Sequence, residues 1–106
     1  MTVPYDAEPP LTEVESLTGA AVVDFGTNWC GYCKAAEPLI EQAFAERAGI
    51  RHIKVEDGKG RRLGRAYGVK LWPTLIFLRD GKEVTRVVRP RSAREVTDGL
   101  DAITSR

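Results

Sequence analysis

Cys30 and Cys33 are the two cysteines of the chain and the residues best suited to do chemistry. A disulfide between residues three positions apart closes a very small loop, so it would restrict the unfolded chain little. A secreted protein framed by disulfides would carry more cysteines, spread along the chain. The spacing therefore predicts a redox pair. A metal site is not predicted, because two cysteines and the single His52 are too few for the usual four-ligand zinc site.

The elements around the pair predict how it would be positioned. The apolar run Ala20–Phe25 is typical of a buried central strand, and a helix from about Cys30 to Ala48 follows, with an expected kink at Pro38. Free N–H groups and the macrodipole at a helix N-terminus favour an anion, so we expect Cys30 to react as a thiolate. Cys33 lies one helical turn later and is the natural resolving thiol.

Asp24 interrupts the apolar strand six residues before Cys30. A buried carboxylate is costly unless it is paired, so it is either a structural residue at a strand end or a base that takes the proton of Cys33. Lys54, on the neighbouring predicted strand, is a candidate partner for Asp24, although a lysine in a strand is by itself more typical of a solvated face. His52 is interpreted as structural or exposed.

The rest of the chain alternates strands and helices. Three prolines among the first ten residues allow at most a short edge strand. Capping boxes, turn residues and apolar periodicity then predict a helix opened by Thr12–Glu15, a strand over Ile50–Val55, a helix around Leu63–Tyr67, strands Thr74–Leu78 and Glu83–Val88, and a last helix opened by Ser92–Glu95. This order predicts an α/β fold with a mixed sheet of four to five strands and helices on both faces.

Length and composition favour one domain over residues 1–106, and we expect it to be a monomer. With 16 basic and 15 acidic residues, the net charge of +1 gives no electrostatic case for nucleic acid or an anionic membrane as partner. The apolar runs are too short to span a bilayer. The N-terminal segment lacks the basic and apolar regions of a signal peptide, so a cytoplasmic location is expected.

Four segments together carry a resemblance to a known family. Val22-Val23-Asp24-Phe25, Trp29-Cys30-Gly31-Tyr32-Cys33-Lys34, Pro38 and Trp72-Pro73-Thr74 resemble the thioredoxin family, and the similarity runs from about residue 11 to the end. The resemblance implies a thioredoxin-like fold and a thiol–disulfide oxidoreductase that reduces protein disulfides. It also implies that no cofactor is needed, and that electrons come from a reductase similar to thioredoxin reductase or from glutathione.

The resemblance also implies a role for individual residues. Cys30 would be the attacking thiolate, Cys33 the resolving thiol and Asp24 the buried proton acceptor, tuned by Lys54. Pro73 would follow a cis peptide bond and pack against the disulfide. The remaining implied contacts concern substrate: Trp29 flanking the site, the backbone of Trp72 pairing with an extended substrate segment, and Gly31, Tyr32 and Arg89 facing it.

The chain departs from the common family pattern at four places. It has Tyr32 between the cysteines where proline is usual, Gly26 where tryptophan is usual, Arg89 or Pro90 where a glycine is usual, and the bulky Trp72 before the expected cis proline. We therefore expect a reduction potential above the roughly −270 mV of ordinary thioredoxin. The alternatives are an oxidant or isomerase-like exchanger and a glutaredoxin-like glutathione or iron–sulfur module.

Overall fold

A computed structural model describes residues 3–104 and places a four-stranded mixed sheet at their centre. The strands, in the spatial order β2-β1-β3-β4, are β1 (Ala20–Gly26), β2 (Arg51–Glu56), β3 (Thr74–Arg79) and β4 (Lys82–Val88). β1 pairs with β2 in parallel and with β3 antiparallel, and β3 forms a hairpin with β4. The predicted mixed sheet is therefore confirmed, with four strands.

Four helices cover the two faces of the sheet: α1 (Leu11–Glu15), α2 (Gly31–Ala45), α3 (Arg62–Ala66) and α4 (Ala93–Thr104). Successive strand residues point to opposite faces, so neighbours such as Val22 and Val23 enter different cores. The core that contains Val22 is built with α2 and α4, and the core that contains Val23 is built with α1 and α3. Within residues 3–104, no helix has the length and apolar character needed to cross a membrane.

The helix boundaries differ from the prediction at two places. α1 begins at Leu11 and has Pro10 at its N-cap without a side-chain bond, so the expected capping box at Thr12 is wrong. The carbonyl of Pro10 already accepts the N–H groups of Glu13 and Val14, and this starts the helix before Thr12 could cap it. By contrast, the capping box of α4 is confirmed by reciprocal bonds of 3.3 and 3.1 Å between Ser92 and Glu95.

α2 ends at Ala45, about three residues earlier than predicted, and continues through Pro38. The N–H groups of Glu46 and Arg47 bond to carbonyls three residues back, at Ala43 and Phe44. This tighter pattern stops the α-helix before Gly49 is reached.

The expected edge strand is reduced to one bridge. Asp6 pairs in parallel with Val55 of β2, through bonds from the Asp6 N–H to the Lys54 carbonyl and from the Glu56 N–H to the Asp6 carbonyl. The neighbouring prolines limit further pairing because they have no N–H to donate. The bridge lies next to Tyr5, which is buried beside the sheet.

A glycine of α4 provides a stability test of this packing. A Cβ at Gly99 would overlap the ring of Phe77. We expect Gly99→Ala to cost up to about 2 kcal/mol of stability, because overpacking of roughly 1–3 kcal/mol is offset only in part by the roughly 1 kcal/mol gained in helix propensity. Thermal unfolding would show this as a fall in Tm of about 4–8 °C per kcal/mol.

The matched control is Gly31→Ala, also in a helix, where a new Cβ meets no atom within 4 Å. We expect its stability to stay within about 0.5 kcal/mol of the parent. Equal Tm values for the two variants would show that the Phe77–Gly99 contact does not limit the packing of α4.

Candidate active site

The two cysteines lie at the N-terminus of α2, as predicted. Cys30 is the N-cap residue, with extended backbone, and its Sγ accepts a 3.2 Å hydrogen bond from the backbone N–H of Cys33. Both are free thiols, 7% exposed at Cys30 and 3% at Cys33. The loop after β1 therefore aims the sulfur of Cys30 at the helix's free N–H groups, which favour a thiolate there.

Burial raises the pKa of the Cys33 thiol to about 12, and its hydrogen bond with Cys30 acts in the same direction. Two contacts oppose this rise, a backbone hydrogen bond with Thr27 and the hydroxyl of Tyr5. At neutral pH Cys33 is therefore a protonated thiol. It can act as a nucleophile only if a neighbouring group takes its proton.

Asp24 has no exposed surface and lies in β1 beneath this pair. Its Oδ1 accepts a 2.8 Å hydrogen bond from the Tyr5 hydroxyl, and its Oδ2 lies 2.9 Å from Nε2 of His52. The buried carboxylate is thus paired on both oxygens, as the cost of burial requires. The residue predicted from the sequence is in place, but its two partners are not the predicted one.

Lys54, the candidate partner of Asp24, does not bond to it, and it does not lie on a solvated face either. The two residues are opposite each other in the β1–β2 register, but the ammonium of Lys54 lies 3.8 Å from Oε1 of Glu37. It also lies 4.4 Å from the centre of the Tyr5 ring. The physical reason is that Tyr5 and His52 already satisfy the carboxylate, so the lysine pairs with a second carboxylate and with the tyrosine ring.

Tyr5 is a site residue that the sequence analysis did not identify, and the contact of His52 with Asp24 was not predicted either. Two hydrogen bonds with the Asn28 side chain fix the backbone of Tyr5. The Tyr5 N–H donates to Oδ1 of Asn28 at 2.8 Å, and Nδ2 of Asn28 donates to the Tyr5 carbonyl at 3.1 Å.

The one feature of the sequence that could have indicated Tyr5 is Gly26, a small residue where the family usually has tryptophan. A Cβ there would lie 2.7 Å from the Cys33 sulfur and 2.8 Å from the Tyr5 oxygen. Any larger residue at Gly26 would displace one of them.

The Trp72–Pro73 peptide bond is cis, as predicted. Trp72 packs against a cluster formed by Tyr5, Cys30 and Cys33, so the segment before β3 borders the cysteine pair. The indole N–H of Trp72 donates a 2.9 Å bond to Asp57, which holds the ring in place.

An aromatic rim borders the site and consists of the exposed Trp29 and Tyr32 and the half-buried Trp72. Trp29 is 72% exposed and meets Trp72 edge-on, with 5.8 Å between ring centres. Arg89 joins the other two members, because its guanidinium carbon lies 3.7 Å from the centre of the Tyr32 ring and its Nε donates to the Trp72 carbonyl at 2.9 Å. Gly31, also exposed, leaves the surface open beside Tyr32.

Arg89 adopts a φ of +50°, which side chains other than glycine rarely occupy. Its N–H bonds to the carbonyl of Pro73 at 2.9 Å, so the turn after β4 is tied to the segment before β3. The backbone shape thus suits a glycine, and the arginine adds its two contacts with the aromatic rim.

Comparisons with known proteins agree with this geometry. The family model "Thioredoxin" matches residues 11–102. The chain is 42% identical to thioredoxin from Chlamydia caviae over 71 residues, which are 67% of this chain and 70% of that protein.

Solved structures show the same relationship over nearly the whole chain. Reduced thioredoxin 2 from Pseudomonas aeruginosa is 50% identical, with a TM-score of 0.87, and the match covers 98% of this chain and 97% of that one. A mutant thioredoxin from Halobacterium salinarum is 30% identical, with a TM-score of 0.78 and coverage of 97% and 92%. These relatives do not favour the exchanger or the glutaredoxin-like alternative. The chain belongs to the thioredoxin family of thiol–disulfide oxidoreductases.

Proposed function

We propose that this thiol–disulfide oxidoreductase reduces disulfide bonds of proteins, with Cys30 as the attacking sulfur and Cys33 as the resolving one. The observation that carries the assignment is the N-cap position of Cys30, where its sulfur accepts the N–H of Cys33. Cys33 is more buried, and this burial raises the pKa of its thiol to about 12. The two thiols therefore differ in the property that sets their order of reaction.

The first step is attack by the Cys30 thiolate on one sulfur of a substrate disulfide. A bond forms between Cys30 and that sulfur, and the second substrate sulfur leaves with the electron pair and takes up a proton. In the second step Cys33 loses its proton to Asp24 and attacks the Cys30 sulfur. The substrate leaves reduced, and the protein now contains a disulfide between Cys30 and Cys33. An electron donor must supply two electrons to reduce it.

The aromatic rim supports a protein substrate. Trp29 and Tyr32 expose 72% and 60% of their surface beside Cys30, and exposed aromatic rings are typical of surfaces that bind other proteins. The proposed donor is a reductase similar to thioredoxin reductase, or glutathione. A monomeric state and a cytoplasmic location stay predictions from the sequence.

Trapping of mixed disulfides tests the assigned order. We expect Cys33→Ser to accumulate covalent complexes with protein substrates through Cys30, because the resolving step is blocked. Cys30→Ser should accumulate almost none, because the remaining thiol is buried and protonated. Non-reducing electrophoresis after exposure to a disulfide-bonded protein such as insulin measures both. Equal trapping by the two variants would reverse or remove the assignment.

The reduction potential tests the effect of Tyr32. Tyr32 is in the first turn of α2 and keeps an N–H that proline would lack, so it offers one more donor near the Cys30 thiolate. A stabilised thiolate favours the reduced form and raises the potential. We expect a midpoint above about −270 mV, lowered by roughly 30 mV, or about 1.4 kcal/mol, in Tyr32→Pro. Equilibration with glutathione measures it, and an unchanged midpoint in the variant would contradict this explanation.

The contacts of Arg89 with the aromatic rim predict a substrate effect. Arg89→Gly suits the +50° φ but removes the guanidinium from Tyr32 and from the Trp72 carbonyl. Losing these two contacts would remove about 1–2 kcal/mol of the interaction energy that orders the rim. We expect kcat/KM for insulin reduction to fall by roughly 5- to 30-fold as a result. The rate with a small aromatic disulfide should hardly change.

Arg91→Ala is the matched control for charge, because Arg91 is exposed and bonds to Glu95 through its backbone N–H, which alanine keeps. We expect kcat/KM for insulin to stay near the parent value in this variant. If Arg89→Gly and Arg91→Ala lower it equally, the effect belongs to net charge and not to the rim.

A further inference from the structure

One hydroxyl group serves both the buried carboxylate and the resolving thiol. The Tyr5 hydroxyl donates its one proton to Oδ1 of Asp24 at 2.8 Å, so its oxygen can only accept from the Cys33 thiol, which packs with Tyr5 in the same buried cluster. The Tyr5 oxygen and the Cys33 sulfur both lie over Gly26, within 2.8 Å of the place where its Cβ would be. The phenol therefore stands between the group that must lose a proton and the group that accepts one.

The position of this hydroxyl is fixed by the tertiary structure. The Asn28 side chain holds both backbone polar groups of Tyr5, and the next residue, Asp6, bridges to β2. Burial, and after it the negative charge of Asp24, raise the pKa of Tyr5 far above its usual range. The phenol therefore keeps its proton at every pH at which the protein works, as a relay group must.

Asp24 also has a route to solvent on its other side. Its Oδ2 lies 2.9 Å from His52, whose side chain is 25% exposed and stacks on Phe44 with 4.4 Å between ring centres. A cavity of about 350 Å³ is lined by Asp24, Cys33 and His52, among other residues. A proton delivered to Asp24 can therefore leave without passing Cys30.

We propose that Tyr5 relays the proton of Cys33 to Asp24, and that His52 and the adjoining cavity return it to solvent. The proposal rests on the order of reaction proposed above. Cys33 gives its proton to the Tyr5 oxygen while Tyr5 gives its own to Asp24, so the phenol stays neutral and the carboxylate becomes a carboxylic acid. The new thiolate bonds to the Cys30 sulfur, and the substrate sulfur leaves with the electron pair and takes up a proton.

Other charged groups face the relay and would shape its pH dependence. Lys54 of β2 lies over the Tyr5 ring and pairs with Glu37 of α2, and Glu41 of α2 lines the same cavity. Cys30 faces Cys33 from the helix N-terminus. A variant that leaves all of these groups in place is therefore needed, and Tyr5→Phe is such a variant.

The experiment follows the two thiolates released when the reduced protein reacts with a chromogenic aromatic disulfide in stopped flow. The first release reports attack by Cys30, and the second reports resolution by Cys33. We expect Tyr5→Phe to leave the first release unchanged and to slow the second by about tenfold or more at pH 7. This is less than the roughly 10²- to 10⁴-fold that positioned proton transfer supplies, because Asp24 stays in place as the acceptor. The difference between the variant and the parent in the rate of the second release should narrow towards pH 9.5, because hydroxide then takes the proton of Cys33 directly.

The matched control is Tyr67→Phe, which removes the hydroxyl of a half-buried tyrosine in the core of α1 and α3. Both of its releases should match the parent. In an Asp24→Asn background, Tyr5→Phe should have no further effect, since the two residues serve one path. An unchanged second release in Tyr5→Phe, or additive effects of the two changes, would overturn the relay.

If Tyr5→Phe does not fold, the unaltered protein still provides a test. Deuterium oxide should slow its second release more than its first, because only the second includes proton transfer through the relay; equal slowing would overturn the proposal. Failure of the proposed function has a different signature, because the unaltered protein would then fail to reduce insulin disulfides whatever its two releases with the small aromatic disulfide.

Discussion

A carboxylate with no access to water has to be paired, and the site of this protein is arranged around that constraint at Asp24. The parallel strand β2 supplies His52 for one oxygen, and the N-terminal segment supplies Tyr5 for the other. The segment is thereby fixed across the edge of the sheet and closes over Cys33. A single buried charge thus connects the sheet, the N-terminal segment and the chemistry of the resolving thiol.

The same constraint explains why Gly26 departs from the common family pattern. Its missing side chain leaves the space in which the Tyr5 hydroxyl and the Cys33 sulfur meet. A tryptophan there would expel both. Tyr5 and Gly26 are far apart along the chain but form one packing unit, so neither is interpretable alone.

Arg89 shows a comparable exchange on the substrate side. The turn after β4 has a left-handed conformation that suits glycine. The contacts of the Arg89 side chain with Tyr32 and Trp72 offset the strain of this backbone. The residues that distinguish this chain from the common pattern thus lie in two places. Gly26 packs against Tyr5 and Cys33, and Arg89 joins Tyr32 and Trp72 beside the cysteines.

The sequence by itself determined the alternation of strands and helices, the position of Cys30 at a helix N-terminus, the cis peptide before Pro73 and the burial of Asp24. The cis peptide was implied by the resemblance to the thioredoxin family, and the others follow from local signals: periodicity, capping and the cysteine spacing. The sequence did not determine the partners of Asp24: it suggested only Lys54, and neither Tyr5 nor His52 was predicted to contact the carboxylate. Only the tertiary structure chose Tyr5 and His52, because hydrogen bonding depends on which side chains meet across strands and not on their separation along the chain.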